Sequence, residues 1–395
     1  MGTALLALSA GPAQAQISGD AVKIGVLTDK SGLYADVSGE GSVIAAQMAV
    51  EDFGGKAAGK PVQIISADHQ NKADISSNIA RQWYDVEGVD AIADLVTSST
   101  ALAVNEVAKE KGRITLISGA ATSRLTGDAC SPTGFHWAYD TYALAVGTGR
   151  AVAQGGGDTW FFITADYAFG HTLEADVTRE VKAANGKVLG SVRHPLSSSD
   201  FSSYLLQAQA SGAKVIGLAN AGTDTTNSIK QAAEFGITQS GQQLAGLLLF
   251  ITDIDALGLD KAQNLVLTTG YYWDLNDDTR AWAERFEKKA GRKPTMVQAG
   301  VYSSVLHYLK AIDAAGTDDS LKIAAKMKDM PVKDMFTQNG KILANGRMVH
   351  DMYLARVKKP SESKGRWDYY EILRTIPGDE AYMKADASGC PLVKK

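Results

Sequence analysis

The sequence predicts an α/β protein composed of two doubly wound lobes. In the first half of the chain, short apolar runs alternate with segments whose apolar residues recur every three or four positions. This alternation is the pattern of buried parallel strands connected by helices. The same alternation begins again near residue 159, and a chain of 395 residues has room for two or three domains. We therefore expect each half to form its own parallel sheet covered by helices.

In the first half, strands and helices follow each other as βαβ units. Strands are predicted at residues 22–27, 62–67, 91–96 and 114–118. Helices are predicted between them at residues 42–53, 74–86 and 101–111. In the first of these helices, Ala45, Met48 and Ala49 have the three- and four-residue spacing of a buried face. Such a series implies a doubly wound sheet.

The second half begins with a similar series and ends differently. Strands are predicted at residues 159–164, 187–193, 214–219, 244–250 and 265–269, with helices at 173–184, 201–210 and 225–235. After Gly270 the pattern becomes mainly helical, at residues 278–290, 299–315 and 320–330. Two late strand-like segments follow at 352–357 and 367–376. No repeat of solenoid period is present, so the duplication is one of architecture.

Charge and motif content argue against several classes of function. The formal net charge is −4 and the basic residues are not clustered, so we expect no nucleic-acid partner. The six histidines are scattered and the two cysteines are far apart, so we expect no metal site. The sequence has no G-x-S-x-G segment and no nucleophile–base arrangement. It therefore predicts a protein that is not an enzyme, without catalytic residues or a cofactor.

A dinucleotide-dependent enzyme is the alternative from a different class. Gly39 and Gly41 form a G-x-G pattern, and Asp68 follows the next predicted strand as a ribose-binding acid would. In a dinucleotide-binding fold the first glycine follows the strand directly, whereas about a dozen residues separate Gly39 from Leu27 here. Absorbance of the purified protein near the nicotinamide or flavin bands would discriminate between the two classes.

The N-terminus has the character of an export signal. Residues 3–10 are small and apolar, and residues 13–15 (AQA) match the A-x-A pattern of a signal-peptidase site. The basic residues that usually precede such an apolar run are missing from residues 1–15. We expect a signal peptide over residues 1–15, cleavage near Ala15 and a periplasmic mature protein.

The two cysteines are candidates for a disulfide. Cys130 and Cys390 both precede a proline in loop-like segments, CSP and CP. Export supplies an oxidising compartment in which such a bond persists. The alternative is two separate buried thiols, and the export signal favours the bond.

Two hydroxyl-rich turns follow neighbouring predicted strands. The first turn lies in the segment LVTSST at 95–100, immediately before a helix, and the second lies in SGAAT at 118–122. Such turns present free backbone N–H groups, hydroxyls and the positive end of a helix dipole, which together bind a small anion such as a carboxylate. Serine and threonine at either turn could instead only cap a helix. The occurrence of both turns in this spacing favours an anion receptor.

Several further segments accompany these turns in a specific order. They are VKIGVL at 22–27 with SG at 31–32, DYAFG at 166–170, DFS at 200–202 and WDL at 273–275. With them, nearly the whole chain resembles the periplasmic solute-binding proteins of the leucine/isoleucine/valine type. These proteins are the receptor components of ABC importers. The resemblance implies a type I periplasmic binding fold, a small-molecule ligand, permease subunits as partners, and a monomer.

The resemblance also implies where the lobes divide. In this fold the chain crosses between the lobes three times, which here corresponds to residues near 140–142, 270–273 and 343–346. The first lobe is then expected to comprise residues 20–141 plus 272–344, and the second lobe residues 142–271 plus 345–395. The ligand lies in the cleft between the lobes, which closes by a hinge motion.

The resemblance assigns the ligand contacts residue by residue. The first-lobe turns would hold the ligand carboxylate through Thr97, Ser98, Ala120 and Thr122. Ser99 and Ala121, in the same turns, are also expected to contact the ligand. Independently of the resemblance, aromatic residues gather at predicted strand ends around the expected cleft. We expect its walls to include Tyr34, Tyr139, Tyr167, Phe169, Phe250 and Tyr271, with Asn220 completing the ligand-binding set. The segments DYAFG at 166–170 and HWAYDTY at 136–142 resemble the subgroup of this family that takes up aromatic acids.

One departure from the family pattern bears on the ligand. Amino-acid-binding members place an acidic residue of the second lobe on the ligand ammonium, whereas the corresponding segment here is GLLLF at 246–250. A buried ammonium without an acidic partner is costly. Asp224 or Asp253 could substitute, although both stand at helix starts where capping is expected. The sequence thus favours an aromatic carboxylate of benzoate, phenylpropenoate or phenyl-keto-acid type. Aliphatic amino acids are the alternative, followed by amide- or urea-like solutes and short fatty acids.

Overall fold

The computed structural model describes residues 17–394. The expected signal peptide, including the cleavage site near Ala15, lies outside the described residues. Within residues 17–394, no helix is both long and apolar enough to cross a membrane.

The first sheet has six strands in the order β2-β3-β1-β4-β5-β6. The strands are β1 Val22–Thr28, β2 Lys56–Ala57, β3 Lys60–Asp68, β4 Ala91–Asp94, β5 Ile114–Ile117 and β6 Gly134–His136. All neighbours are parallel except the short β2–β3 hairpin. The connecting helices are α1 Gly39–Phe53, α2 Ala73–Gln82 and α3 Ser98–Lys111. Apolar side chains of β1 are fully buried between the helical layers, as expected for a parallel sheet.

The second lobe begins with two short helices and a second parallel sheet. The helices are α4 Thr141–Leu144 and α5 Arg150–Gln154, joined by a π-helical turn. The sheet has the order β10-β9-β7-β8, with β7 Thr159–Ala165, β8 Lys187–His194, β9 Val215–Ala219 and β10 Gln243–Gly246. Its helices are α6 Ala168–Ala183, α7 Ser202–Ala210, α8 Thr223–Glu234, α9 Ile251–Leu257 and α10 Leu259–Ala262. This confirms the predicted α/β class with two doubly wound sheets.

After β11 (Val266–Thr269) the chain returns to the first lobe. It forms α11 Asp277–Ala290, α12 Met296–Ala315 and α13 Ser320–Asp329, and α12 packs along α1. Thr295 caps α12 by accepting the N–H of Gln298, and its hydroxyl donates to the carbonyl oxygen of Val37 at 2.7 Å. This late helical segment therefore supports the loop that precedes α1.

The last segment of the chain returns to the second lobe. A small hairpin, β12 Lys341–Ile342 with β13 Met348–Val349, leads into β14 Met352–Val357 and β15 Tyr370–Ile376. The strands β11, β14 and β15 form an antiparallel sheet beside β10. A last short helix, α14, spans Gly378–Ala381.

The first and third of the expected interlobe segments meet around a buried arginine. The Arg347 side chain is 1% exposed and donates to the carbonyl oxygens of Trp137 and Tyr139 and, at 3.3 Å, to the Asp140 carboxylate. His350 contacts the carbonyl oxygen of Ala138 at 2.9 Å. These contacts pack residues 137–140 against residues 347–350.

Several predicted elements differ in extent. The strand predicted at 244–250 ends at Gly246, and α9 begins at Ile251, where the Asp253 carboxylate accepts the N–H of Phe250 at 2.9 Å. Leu247, Leu248 and Leu249, which lie between these elements, are buried although they belong to no strand. The three-residue β6 and the short α4 and α5 were not predicted, since segments of that length show no clear periodicity.

A disulfide joins Cys130 to Cys390, with Cα atoms 5.7 Å apart. Cys130 lies in the first-lobe loop before β6, and Cys390 lies in the C-terminal tail that leaves the second lobe after α14. Across residues 17–394, no cluster of three or more His, Cys, Asp or Glu side chains suited to a metal ion is present.

Candidate functional site

The first hydroxyl-rich turn begins with unusual backbone geometry. Asp94 and Leu95 have φ values of 78° and 57°, in the left-handed region that non-glycine residues rarely occupy. These two residues turn the chain sharply from β4 towards α3. Helix α3 then begins at Ser98, with Thr97 at the N-cap position but without a capping hydrogen bond from its side chain. At this helix terminus the Thr97 side chain therefore does not fill the capping role.

The Thr97 hydroxyl is used in a different contact. It donates to Asn71 Oδ1 at 2.6 Å, and Asn71 Nδ2 donates to Asp29 Oδ2 at 2.6 Å. The fully buried Asp29 also accepts the backbone N–H groups of Gly32 and Tyr34, at 2.7 and 2.9 Å. This Asp29–Asn71–Thr97 network fixes the first turn relative to the loop that carries Tyr34.

The two turns are joined to each other. The Ser98 hydroxyl oxygen accepts the N–H of Thr122 at 3.2 Å. In the second turn, the Ala120 carbonyl oxygen contacts His136 Nε2 at 2.7 Å. Burial lowers the pKa of His136 well below its usual value, and the nearby Arg347 charge acts in the same direction. His136 is therefore a neutral, buried support for the turn.

A cavity lies where these turns face the second lobe. It is lined by Tyr34, Val37, Val96, Ser98, Gly119, Ala121 and Tyr139 from the first lobe and by Tyr167, Phe169, Ala221, Leu248 and Phe250 from the second. Its volume is about 10 Å³, the space of roughly one water molecule. The cleft is thus closed, and a ring-sized molecule requires the lobes to separate or wall side chains to shift.

Direct hydrogen bonds hold the lobes together around this cavity. The hydroxyls of Tyr34 and Tyr167 are 2.7 Å apart, and those of Thr122 and Thr172 are 3.0 Å apart. Gly222 has a φ of 60°, and a Cβ atom there would lie 2.8 Å from the Leu33 carbonyl oxygen. A glycine is therefore needed for this close approach of the second lobe to the first.

Most of the predicted ligand contacts come together at this cavity. Its walls include Tyr34, Ser98, Ala121, Tyr139, Tyr167, Phe169 and Phe250. Thr97, Ser99, Ala120 and Thr122 belong to the same two turns, beside the wall residues. The sequence did not indicate Val37, Val96, Gly119, Ala221 or Leu248. Val96 and Gly119 belong to the segments LVTSST and SGAAT that contain the predicted turns, so these segments were the available signal for them.

Two predicted contacts, Asn220 and Tyr271, do not line this cavity. Asn220 is fully buried under the second sheet, where its amide contacts His194, Thr225 and Ser228. Tyr271 donates to the Thr279 carbonyl oxygen at 3.2 Å and stacks on Phe336. Both residues follow strand ends, as cleft residues do, but their side chains point into packed interiors.

The positions of the acidic side chains near the cavity bear on whether it can bind a ligand ammonium group. The residues that line the cavity include no acidic side chain. Asp253 is used in capping α9, as expected. Asp224 behaves differently: its Oδ2 accepts the N–H of Ser197 at 3.1 Å, while its buried Oδ1 has no hydrogen-bond partner among the described residues. Burial raises the pKa of Asp224 to about 6, and its charge contributes to raising the pKa of both Tyr34 and Tyr167. One carboxylate oxygen thus remains available close to the cavity.

Comparison with known proteins places this architecture among solute-binding proteins. A family model described as periplasmic binding protein matches residues 21–366. Among curated proteins, the Leu/Ile/Val-binding protein homolog 6 of Brucella melitensis biotype 1 is 26% identical over 320 residues, covering 79% of this chain and 81% of that protein.

Solved structures agree over almost the whole chain. A periplasmic binding protein from Burkholderia mallei is 54% identical, with a TM-score of 0.93, covering 95% of this chain and 100% of that chain. A branched chain amino acid ABC transporter periplasmic ligand-binding protein from Burkholderia xenovorans LB400 is 43% identical, with a TM-score of 0.84 and coverage of 94% and 99%. An ABC transporter solute binding protein from R. palustris, solved in complex with benzoate, is 21% identical, with a TM-score of 0.83 and coverage of 94% and 100%.

Proposed function

This chain belongs to the periplasmic binding protein family, and on that premise we propose that its cleft binds a small aromatic carboxylate for uptake. The protein is a substrate-binding receptor of an ABC transporter, and its relatives are solute-binding proteins and not enzymes. Such receptors bind a small molecule and work with the permease components of the transporter. The proposal concerns the ligand class, which we take to be of benzoate, phenylpropenoate or phenyl-keto-acid type.

The composition of the cavity wall carries this proposal. Aromatic side chains from both lobes face each other across it, among them Tyr34, Tyr167 and Phe169. Ser98, at the N-terminus of a 14-residue helix, adds a hydroxyl and a favourable helix dipole for an anion. An apolar ring with one carboxylate matches this division into an apolar wall and an anion-binding turn. The benzoate complex of the R. palustris protein is consistent with the same chemistry in a related fold.

Aliphatic amino acids are the second candidate, and one observation favours them. The unpartnered, buried Oδ1 of Asp224 could accept a hydrogen bond from a ligand ammonium group. The names of the Brucella and B. xenovorans relatives refer to branched-chain amino acids. Against this, Leu248 and Phe250, not an acidic residue, line the second-lobe wall. Amide- or urea-like solutes are a further alternative, since they also carry N–H donors.

The cellular setting is part of the proposal. We infer that the signal peptide is cleaved near Ala15, that the mature protein acts in the periplasm as a monomer, and that it delivers its ligand to permease subunits. The lobe boundaries that we propose are residues 20–141 plus 272–344 and residues 142–271 plus 345–395. The contacts of Arg347 and His350 with residues 137–140 support hinge segments at these positions.

Isothermal calorimetry distinguishes the two ligand classes. We expect micromolar or tighter binding of benzoate or a phenyl keto acid and no binding of leucine, isoleucine or valine. Ligand at 100 times its dissociation constant should also stabilise the protein by about 2.7 kcal/mol, which a thermal-shift assay detects. Asp224→Asn is the matched variant: it should leave aromatic-acid binding intact, whereas a receptor that holds an amino-acid ammonium on Asp224 would lose its binding. Micromolar binding of leucine with no response to any aromatic acid would overturn the ligand assignment.

A further inference from the structure

The polar groups in the cavity wall are few, and most of them already have partners. The Tyr139 hydroxyl donates to the Gly119 carbonyl oxygen at 2.6 Å. The Ser98 hydroxyl oxygen accepts the Thr122 N–H group. The remaining polar side-chain atoms of the wall are the hydroxyls of Tyr34 and Tyr167, which are paired with each other at 2.7 Å. This tyrosine pair lies among apolar wall residues.

Only one of the two hydrogens of the tyrosine pair is used within the pair. Each phenol carries one hydrogen and can also accept hydrogen bonds. Whichever hydroxyl donates within the pair, the hydrogen of the other has no acceptor among the hydrogen bonds of the described residues. Tyr34 is 3% exposed and Tyr167 is half-buried, so a free hydrogen on Tyr34 is shielded from water and costs free energy. An oxygen atom supplied by a ligand would remove that cost.

We propose that the Tyr34–Tyr167 pair is a specificity determinant that recognises a hydroxyl group on the ring of the aromatic acid. This inference rests on the proposed function and narrows its substrate class to hydroxylated aromatic carboxylates. A phenolic oxygen can accept the free tyrosine hydrogen and donate its own hydrogen to the second tyrosine oxygen. An unsubstituted ring leaves the donor unsatisfied, and a methyl group adds an apolar contact where a polar one is required.

The pair also links ring recognition to closure of the cleft. Tyr34 belongs to the first lobe, where its loop is held by Asp29, and Tyr167 precedes helix α6 of the second lobe. A ligand hydroxyl that bonds both tyrosines therefore bridges the two lobes directly. Hydroxylated ligands should for this reason dissociate more slowly than benzoate, in addition to binding more tightly.

The test compares four ligands with isosteric variants of the pair. Calorimetry is carried out with benzoate, 3-hydroxybenzoate, 4-hydroxybenzoate and 4-methylbenzoate on the wild-type protein and on Tyr34→Phe and Tyr167→Phe. We expect wild type to bind one of the hydroxybenzoates about tenfold or more tightly than benzoate. Each variant should bring that ligand to within about threefold of benzoate, with benzoate itself affected less than threefold. Tyr204→Phe, which removes a hydroxyl beside Phe201 in the second lobe, is the control and should change nothing.

Three outcomes would contradict the inference, and they differ in whether the proposed function is overturned as well. Equal losses for benzoate and the hydroxybenzoates in the variants would mean that the pair contacts the carboxylate, and would overturn the inference alone. Equal affinities of wild type for all four ligands would also overturn it alone. Absence of binding of any aromatic acid to wild type would overturn the proposed function and this inference together. Melting temperatures of the unliganded variants verify that each is folded.

Discussion

Ser98 combines three features of an anion contact: a cavity-lining hydroxyl, the first position of a helix, and a hydrogen bond to the second turn. Loss of its hydroxyl removes one contact to the ligand and releases the Thr122 N–H group. Since a carboxylate head group is common to all the proposed ligands, the effect should not depend on the ring. The contribution of the aromatic wall to ligand affinity, by contrast, depends on ring size.

We predict that Ser98→Ala weakens benzoate and a phenyl keto acid by the same factor, about tenfold or more, because hydrogen bonds to charged groups contribute about 1.5–3 kcal/mol. The double variant Ser98→Ala/Thr122→Ala should again affect both ligands alike. Calorimetry provides the affinities, and Ser77→Ala, which removes a hydroxyl bonded to the α2 backbone, serves as control. A loss that depends on the ring would place the carboxylate elsewhere.

Asp94 is a second residue whose chemistry can be tested alone. It is fully buried behind the first turn, and neither carboxylate oxygen has a hydrogen bond of normal geometry among the described residues. Burial raises its pKa to about 6, against the opposing effect of the hydroxyls of Thr28, Ser42 and Ser38. Between about pH 4 and pH 6 the folded protein therefore holds this proton more tightly than the unfolded chain does, so stability falls as the pH rises through this range.

We predict that Asp94→Asn removes this dependence. The difference in free energy of unfolding between the variant and wild type should shift in favour of the variant as the pH rises from 4 to 7.5. The shift should be at most about 3 kcal/mol. Urea unfolding of both proteins at the two pH values measures it. A difference in stability that stays constant from pH 4 to 7.5 would show that Asp94 does not titrate in this range.

At the residue scale, the sequence predicted which types of residue lie near the cleft better than it predicted the direction in which each side chain points. Ser98 and Tyr167 could be predicted because hydroxyl-rich and aromatic segments follow strands that end at the cleft. Asn220 and Tyr271 occupy equivalent sequence positions, yet their side chains are buried among second-sheet and α11 residues. Which way a residue points after a strand depends on the neighbours that pack against it, and these come from distant parts of the chain.

At the scale of elements, helix α3 is positioned by the loop between β3 and α2. Gln70 and Asn71 both have positive φ values, 52° and 57°, which direct the Asn71 side chain towards Thr97 and Asp29. The Asn71 side chain thus links the N-terminus of α3 to the loop that carries Tyr34. Nothing in the local sequence indicates this link, because the partners lie 42 and 26 residues away.

We predict that Asn71→Ala lowers ligand affinity about three- to tenfold, because the turn and the Tyr34 loop lose their shared partner. Asn71→Asp should be worse at neutral pH, since it places a second carboxylate beside Asp29, and should recover partly at acidic pH. Calorimetry at pH 7.5 and pH 5 tests both. Asn264→Ala, which removes a surface contact to Arg356 in the second lobe, should match wild type, and an equal loss there would point to a general destabilisation.

The differences between the predicted and observed elements have two physical causes. Strand β6 has three residues and α4 four, too short for a period of two or 3.6 to be visible. The leucine-rich segment after β10 was predicted as strand because it is continuously apolar, but it forms the cleft wall before α9. The long elements, such as β1, β7 and α12, were predicted correctly in kind because their burial extends over many residues.

At the scale of the whole molecule, we predict that the disulfide contributes to stability. Reduction, or Cys130→Ser with Cys390→Ser, should lower the free energy of unfolding by about 2–5 kcal/mol, because the bond closes a loop with a sequence separation of 260. Thermal unfolding with and without reductant measures the effect. Two free thiols found by non-reducing mass spectrometry of periplasmic protein would refute the bond in the mature molecule.

The position of this bond has a topological consequence. The C-terminal tail leaves the second lobe after α14, and Tyr382 near its start contacts His350. Further along, Cys390 of this tail is bonded to Cys130 of the first lobe. Residues 130–390 therefore form one covalent ring, which includes the three interlobe crossings that we propose. A protease that cuts a single exposed loop of the second lobe, such as residues 239–242, opens the ring without dividing the molecule. The two fragments should migrate together in a denaturing gel and separate only after the sulfur–sulfur bond is reduced.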